Sequence, residues 1–187
     1  HTRGHRFHQP IPLSIESASA YAPMLYSQGH VIANYQTRLK IIRELVEKAA
    51  CRCGGVAHID QDLLEEVTSL VEWPVPVTGS FDEQFLKLPR NVLIATMKKA
   101  QKYFHVEDTN GQLLPKFITI SNIKSRNPES VREGNERVIR PRLEDAAFFV
   151  QTDRRRGLES FILGTKSLTF QEKLGTIYDK AQRISKL

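Results

Sequence analysis

The sequence lacks the features that mark secreted or membrane-spanning proteins. Its 187 residues include two cysteines, Cys51 and Cys53, and two thiols in a chain of this size are typical of a reducing cytosol, where they stay unpaired. No uninterrupted apolar stretch approaches the roughly 20 residues that a membrane span requires. His1–Pro10 is basic but has no apolar segment, so it does not resemble a signal peptide. Secretion and membrane insertion are therefore not expected.

Motifs that carry chemistry are also missing. Neither glycine-rich phosphate-binding loop is present, and no G-x-S-x-G nucleophile motif occurs. His5 and His8 could ligate zinc together with the two cysteines, but the spacing between Cys51 and Cys53 is tighter than in structural zinc sites. Solvated histidines and idle thiols are the simpler interpretation. We expect no catalytic, cofactor-binding or metal-binding residue in this chain.

The composition is that of an ordinary globular protein with a modest positive charge. Apolar residues make up 40% of the chain, and 27 lysines and arginines outnumber 21 acidic residues, for a formal charge of +6. The length predicts one domain, or one domain and part of another. The excess of positive charge favours polyanionic partners, although many basic proteins bind no nucleic acid.

Arginine is concentrated between Lys124 and Arg156. This stretch holds nine basic residues, eight of them arginine, against six acidic ones. Arginine binds phosphate bidentately, which lysine does not. The alternative is a solvated helix surface in which the acidic residues pair with the arginines. The candidates for phosphate contacts are Arg137, Arg140, Arg142, Arg154, Arg155 and Arg156.

The apolar periodicity predicts several amphipathic helices. One runs from Asn34 to the Gly54-Gly55 pair, and a second follows the N-cap Asp60 and ends at Trp73-Pro74. Further helices are expected from Pro89, over Pro141–Thr152 and from Leu174 onward. The first three candidate arginines would then bracket Pro141, where the chain bends before its helix, and the last three would lie on an exposed turn after that helix.

Aromatic and β-branched residues predict a β-hairpin in the middle of the chain. Tyr103–Glu107 and Lys116–Ser121 flank Asp108–Gly111, and Asn-Gly favours a turn with positive φ. Leu168–Phe170 could form another short strand. The strands and helices do not alternate regularly. We therefore predict an α+β fold, with a mixed sheet that includes an antiparallel hairpin and is packed with several amphipathic helices.

Several segments resemble one protein family, the beta subunit of bacterial glycyl-tRNA synthetase. The matching motifs are collinear and cover nearly the whole chain. They lie within Thr2–Phe7, Leu64–Pro74, Gln101–Phe104, Gly134–Val138, Arg142–Phe149 and Leu174–Lys180.

The resemblance implies that the chain is an internal segment of a subunit several times longer. Residues 1–170 would form an α+β domain similar to the B3/B4 domain of the phenylalanyl-tRNA synthetase beta subunit. Residues 171–187 would begin an HD-type helical domain. In this family, alpha and beta subunits form a heterotetrameric class II ligase in the bacterial cytoplasm. The alpha subunit handles glycine, ATP and Mg²⁺, and the beta subunit supplies most of the tRNA recognition.

The resemblance implies a non-catalytic module that supports tRNA(Gly) binding and subunit architecture. Its partners would be the alpha subunit, tRNA(Gly) and the remainder of the beta subunit, and it would hold no cofactor of its own. Two alternatives stay open, an editing hydrolase of mischarged tRNA and an assembly scaffold without RNA contact. Editing is the weaker of them, because every competitor of glycine is larger and a tight pocket excludes it.

Overall fold

The computed structural model describes all residues, His1–Leu187, which form two compact units, His1–Glu144 and Asp145–Leu187. This division into compact units does not test the predicted boundary between two family domains at residues 170/171, which stays a prediction. The helices are α1 (Tyr21–Ser27), α2 (Tyr35–Arg52), α3 (Gln61–Leu70), α4 (Arg90–Ala95), α5 (Pro128–Arg156), α6 (Leu158–Gly164) and α7 (Ile177–Ile184). The strands are β1 (Val56–Ala57), β2 (Val75–Ser80), β3 (Phe104–Glu107), β4 (Leu113–Ser121), β5 (Thr169–Gln171) and β6 (Gly175–Thr176).

The first unit is built on a four-stranded sheet with the order β1-β3-β4-β2, in which every neighbouring pair is antiparallel. The α+β class and the hairpin are confirmed, but this sheet is wholly antiparallel rather than mixed. In the hairpin turn the Asp108 N–H donates to the carbonyl of Gln112 at 2.8 Å. Only Gly111 in this turn has a positive φ, of 75°, which is typical of a three-residue hairpin loop that ends in glycine.

Helix α2 begins and ends where the sequence predicts, and α3 begins after Asp60 as predicted but ends at Leu70, before the predicted end at Trp73-Pro74, because Val71 is already extended. The Asn34 and Asp60 side chains accept hydrogen bonds from the backbone N–H of Thr37 and Leu63, at 2.8 and 3.0 Å. These bonds satisfy N–H groups that have no partner inside the helix. Gly54, with a φ of 76°, follows the C-terminal end of α2. Local capping chemistry thus defines both helices.

One face of the sheet forms the main hydrophobic core with α2 and α3. The strands contribute alternate residues, as expected when successive side chains point to opposite faces, and Phe104 and Ile118 are fully buried. The core consists of Ile42, Val46, Ala49, Ala50, Leu63, Leu64, Val67, Val71, Phe104, Val106, Ile118 and Ile120.

A second apolar layer surrounds Phe117, which pairs with His105 on the other face of the sheet. The ring of Tyr103 stacks on that of Phe117 with centroids 4.3 Å apart and 5° between the planes. The Tyr103 hydroxyl donates to Oδ1 of Asn135 in α5 at 2.7 Å. Burial raises the pKa of Tyr103 to about 12, so its hydroxyl stays protonated and remains a donor.

Helix α5 is longer than the sequence predicts. It is continuous over Pro128–Arg156 and contains Pro141, so the prediction of a helix that starts at Pro141 is wrong. Proline in a helix removes one hydrogen bond, but Ile139 and Leu143 on either side of it are completely buried. Their packing stabilises the helix through the proline. The arginines around Pro141 therefore lie inside a helix, not before its start.

The N-terminal motif Thr2–Phe7 has a structural explanation. His5 is only 1% exposed, and its Nε2 donates to the carbonyl of Asn122 at 2.5 Å. Its Nδ1 accepts from the backbone N–H of Phe7 and His8. A Cβ at Gly4 would lie 2.7 Å from the carbonyl oxygen of Gly29. Both nitrogens of His5 are therefore engaged, and neither is available for a metal.

The second unit contains the end of α5, helices α6 and α7 and the two-stranded sheet β5–β6. The predicted strand near Leu168 is present as β5. The last helix begins at Ile177 rather than Leu174, because Gly175 has a φ of 80° and Thr176 caps the helix together with Asp179. None of the helices of the chain combines the length and the apolar character needed to cross a membrane.

Candidate functional site

The six candidate arginines are all exposed on α5. Arg137 and Arg140 are three residues apart and share a helix face, where they line a surface groove with Glu133 and Glu136. Arg142 is five residues from Arg137 and therefore points to a different side. Arg154, Arg155 and Arg156 form the last turn of α5, not the turn after a helix that the sequence predicted.

The side chains of the six arginines form no salt bridge and no hydrogen bond within the chain. Arg132 on the same helix is different, because it donates to Glu129 and, at 2.8 Å, to Glu136. The hydrogen bond to Glu129 and the charge of Glu136 raise the pKa of Arg132. The local acidic partners thus neutralise Arg132 and leave six guanidinium groups free for another anion.

A second site, not anticipated from the sequence, is a cavity of about 190 Å³ in the first unit. Its walls combine two imidazoles, two carboxylates, two cationic side chains and three apolar or aromatic groups. The lining residues are His58, His105, Asp60, Glu107, Arg90, Lys98, Leu63, Ile94 and Tyr103.

The sheet brings the two histidines of this cavity together. Ala57 of β1 pairs with Val106 of β3, so His58, which follows β1, lies beside His105, and their rings stack with centroids 5.2 Å apart. Glu107 is two residues after His105 and, because a strand alternates its faces, lies on the same side. Its Oε1 is 3.0 Å from Nε2 of His105.

Each carboxylate in the cavity has a cationic partner. Nη2 of Arg90 lies 2.5 Å from Oε1 of Glu107, and Nζ of Lys98 lies 2.6 Å from Oδ2 of Asp60. Lys98 belongs to a turn of π-helix, Thr96–Ala100, that extends α4. The hydrogen bond from Lys98 lowers the pKa of Asp60. The formal charges of these four side chains cancel.

The histidines are the groups of this cavity that are available for chemistry. Burial lowers the pKa of His105 below its ordinary value, although Glu107 acts in the opposite direction, so the imidazole is neutral at pH 7. No serine, threonine or cysteine lines the cavity, and the hydroxyl of Tyr103 stays protonated and donates to Asn135, so an activated hydroxyl or thiol nucleophile is missing. The arrangement suits ligation of an ion or transfer of a proton better than covalent catalysis.

The sequence predicts only part of this cavity. The alternation His105-x-Glu107 lies within a segment that was predicted to be a strand, and it places both side chains on one face. His58 could not be connected to them, because its proximity depends on the pairing of the two-residue strand β1 with β3.

Comparison with known proteins gives a consistent result along the whole chain. A family model described as "Glycyl-tRNA synthetase beta subunit" matches residues 1–187. A glycine–tRNA ligase beta subunit from Hahella chejuensis is 51% identical over 186 residues, which cover 100% of this chain and 27% of that protein. A second, from Chromohalobacter salexigens, is 54% identical over 98% of this chain and 26% of its own length.

The chain thus spans about a quarter of the length of these curated relatives. The match includes the N-terminal segment anchored by His5, the sheet and its helices, and the arginine-bearing helix α5. Because the family model matches the full length of the chain and the relatives are 51% and 54% identical to it, the chain belongs to the glycyl-tRNA synthetase beta subunit family.

Proposed function

We propose that this chain is a non-catalytic module of a class II glycine–tRNA ligase that supports the binding of tRNA(Gly) and the architecture of the beta subunit. The observation that carries the proposal is the set of six exposed arginines on α5 that have no partner in the chain. A guanidinium group offers a planar pair of donors that fits a phosphate. The arginines are Arg137, Arg140, Arg142, Arg154, Arg155 and Arg156.

These contacts would be independent of the tRNA sequence. Phosphate contacts fix the position of a nucleic acid, whereas its sequence is recognised through the bases. The exposed Phe148 and Phe149 lie on the same helix, and the proposal assigns them to contact with the remainder of the beta subunit rather than to base stacking. The anticodon and other identity elements are accordingly recognised elsewhere in the subunit.

The chemistry of glycine activation belongs to the alpha subunit in this proposal. The residues of this chain do not fit an ATP–magnesium site. The one converging set of ligand atoms comes from His58, His105 and Glu107, whereas magnesium prefers oxygen ligands. ATP and Mg²⁺ would thus be bound by the alpha subunit, within a heterotetramer in the bacterial cytoplasm.

The second unit supports the architectural part of the proposal. Several large apolar side chains lie exposed on α5 and α6, among them Leu158 at 86% and Leu163 at 68%. A concentration of large exposed apolar side chains is typical of an interaction site. Since the chain spans about a quarter of its relatives, the remainder of the beta subunit is the proposed partner. The exposed set also includes Phe148, Phe149, Phe161 and Ile162.

The 187-residue chain alone is expected to catalyse no glycine-dependent exchange between ATP and pyrophosphate. It lacks a phosphate-binding glycine loop, and no set of its residues fits ATP and magnesium. The assay compares the purified chain with a blank and with the complete synthetase. Exchange by the chain above the blank would contradict the proposal of a non-catalytic module.

Charge reversal at Arg155 and Arg156 in the complete synthetase tests the RNA contact. We expect the KM for tRNA(Gly) in the charging reaction to rise by at least about tenfold, because two phosphate contacts are lost. Glycine-dependent ATP–pyrophosphate exchange is expected to stay unchanged, because activation takes place in the alpha subunit. The measurement is steady-state charging kinetics beside the exchange assay.

The matched control reverses Lys40 and Arg52 on α2, which are exposed and unpaired. Lys40→Glu/Arg52→Glu changes the net charge by the same amount at a different surface. An equal rise of the KM in the control would show that the effect depends on the total charge and not on the position of the arginines. An unchanged KM in Arg155→Glu/Arg156→Glu would favour an assembly scaffold without RNA contact.

A further inference from the structure

We propose that His58, His105 and Glu107 form a binding site for a divalent transition-metal ion of the zinc class. Their ligand atoms all lie within 4.8 Å of one another, and the three side chains line the cavity of about 190 Å³ beside β1 and β3. This site is separate from the proposed arginine contacts, so the two proposals can fail independently.

The ligand set fits this class of metal. Imidazole nitrogen suits zinc, copper and nickel, and a carboxylate oxygen completes a set of two histidines and one acid. Three protein ligands leave a fourth tetrahedral position open. That position would face the cavity, where a water molecule or a small anionic ligand has room.

The distances need only small movements of the side chains. Ligand atoms about 2.0–2.1 Å from a tetrahedral zinc are roughly 3.3 Å apart, and Nε2 of His105 already lies 3.0 Å from Oε1 of Glu107. His105 and Glu107 are held on β3, and the backbone N–H of His58 lies 3.4 Å from the carbonyl oxygen of His105. The sheet thus positions the backbone of all three ligands.

Surrounding residues orient the carboxylate. Arg90 donates to Oε1 of Glu107 and, through its other nitrogen, to the carbonyl of Gly111 at 2.8 Å. Partners of this kind fix a ligand's orientation in metal sites. Arg90 also competes with a metal for Oε1. The Arg90→Gln variant should therefore change the affinity for the metal without changing the number of ions bound.

The other histidines provide a control. His5 uses both ring nitrogens in hydrogen bonds within the chain, and His8 accepts from the backbone N–H of Lys124 at 3.0 Å. His8 and His30 lie in a separate aromatic group with ring centroids 5.2 Å apart. Loss of His8 should leave the proposed site intact.

The experiment uses the complete synthetase after removal of metal by a chelator. Zinc is titrated calorimetrically, and Co²⁺ is titrated in parallel because its visible absorption reports the coordination geometry. The variants are His58→Ala, His105→Ala and His8→Ala. His58 is exposed, so its replacement preserves the fold even where loss of the buried His105 does not.

We expect the wild type and His8→Ala to bind one equivalent of zinc per beta subunit at this site. In His58→Ala this zinc should be lost or should bind at least about tenfold more weakly. The corresponding tetrahedral Co²⁺ spectrum should disappear with it. Equal stoichiometry and affinity in the wild type and His58→Ala would overturn the proposal. Loss of the equivalent in His8→Ala alone would overturn it as well, because the metal would then bind at the other histidine group.

Discussion

Replacement of Phe104 by alanine is expected to lower the free energy of unfolding by about 3–5 kcal/mol. Phe104 is completely buried at the centre of the main core, between the sheet and helices α2 and α3. The substitution removes the apolar contacts of the ring and leaves a cavity that the rigid strands cannot fill. Urea unfolding, followed through the fluorescence of the single tryptophan, Trp73, measures the change.

Leu158→Ala is the control for Phe104→Ala, because Leu158 is 86% exposed in the chain. Its replacement should change the free energy of unfolding by no more than about 0.5 kcal/mol. A similar small effect of Phe104→Ala would contradict the packing of β3 against the two helices.

Gly79→Ala is expected to lower the free energy of unfolding by about 2–3 kcal/mol. A Cβ at this position would lie 2.2 Å from Cζ of Phe117. The Phe117 ring cannot move away easily, since it is fully buried and stacked on Tyr103. The extra methyl group therefore forces a shift of β2 or of the aromatic pair. The same urea unfolding experiment provides the measurement.

Gly134→Ala is the matched control, and it is expected to raise the free energy of unfolding rather than lower it. Gly134 lies inside α5, and nothing is within 4 Å of a Cβ built there. Alanine is favoured over glycine in a helix by about 0.5–1 kcal/mol, so the variant should be more stable than the wild type. If Gly79→Ala were also neutral or stabilising, the close contact between β2 and Phe117 would be wrong.

The parts of the fold that the sequence predicts well depend on local chemistry. Helices α2 and α3 have an apolar stripe and a capping side chain at Asn34 or Asp60, and both are confirmed. The hairpin between β3 and β4 follows from an Asn-Gly turn between two aromatic and β-branched segments. In each case the deciding contacts lie within a few residues.

Helix α5 begins at Pro128, ahead of the predicted start at Pro141. Asn127 and Pro128 carried the correct signal, since Oδ1 of Asn127 accepts from the N–H of Ser130 at 3.3 Å and proline is favoured in the first helical position. The burial of Ile139 and Leu143 then outweighs the cost of the internal proline. That packing is tertiary, so periodicity alone could not reveal it.

The functional groups were predictable to different degrees. The concentration of arginine on one segment is visible in the sequence, but the pairing of Arg132 with Glu129 and Glu136 required side-chain positions. The cluster of His58 with His105 and Glu107 depends on strand pairing between segments almost 50 residues apart in the chain. No local pattern connects them.

The salt dependence of tRNA(Gly) binding tests the central claim most directly. Equilibrium binding to the complete synthetase is measured over a range of salt concentrations, with Arg155→Glu/Arg156→Glu beside the wild type and Lys40→Glu/Arg52→Glu. Each lost phosphate contact should reduce the slope of log K against log salt by about 1. The account predicts weaker binding and a slope that is smaller by about 2 for the α5 variant alone. Equal affinities and equal slopes for all three proteins would contradict it.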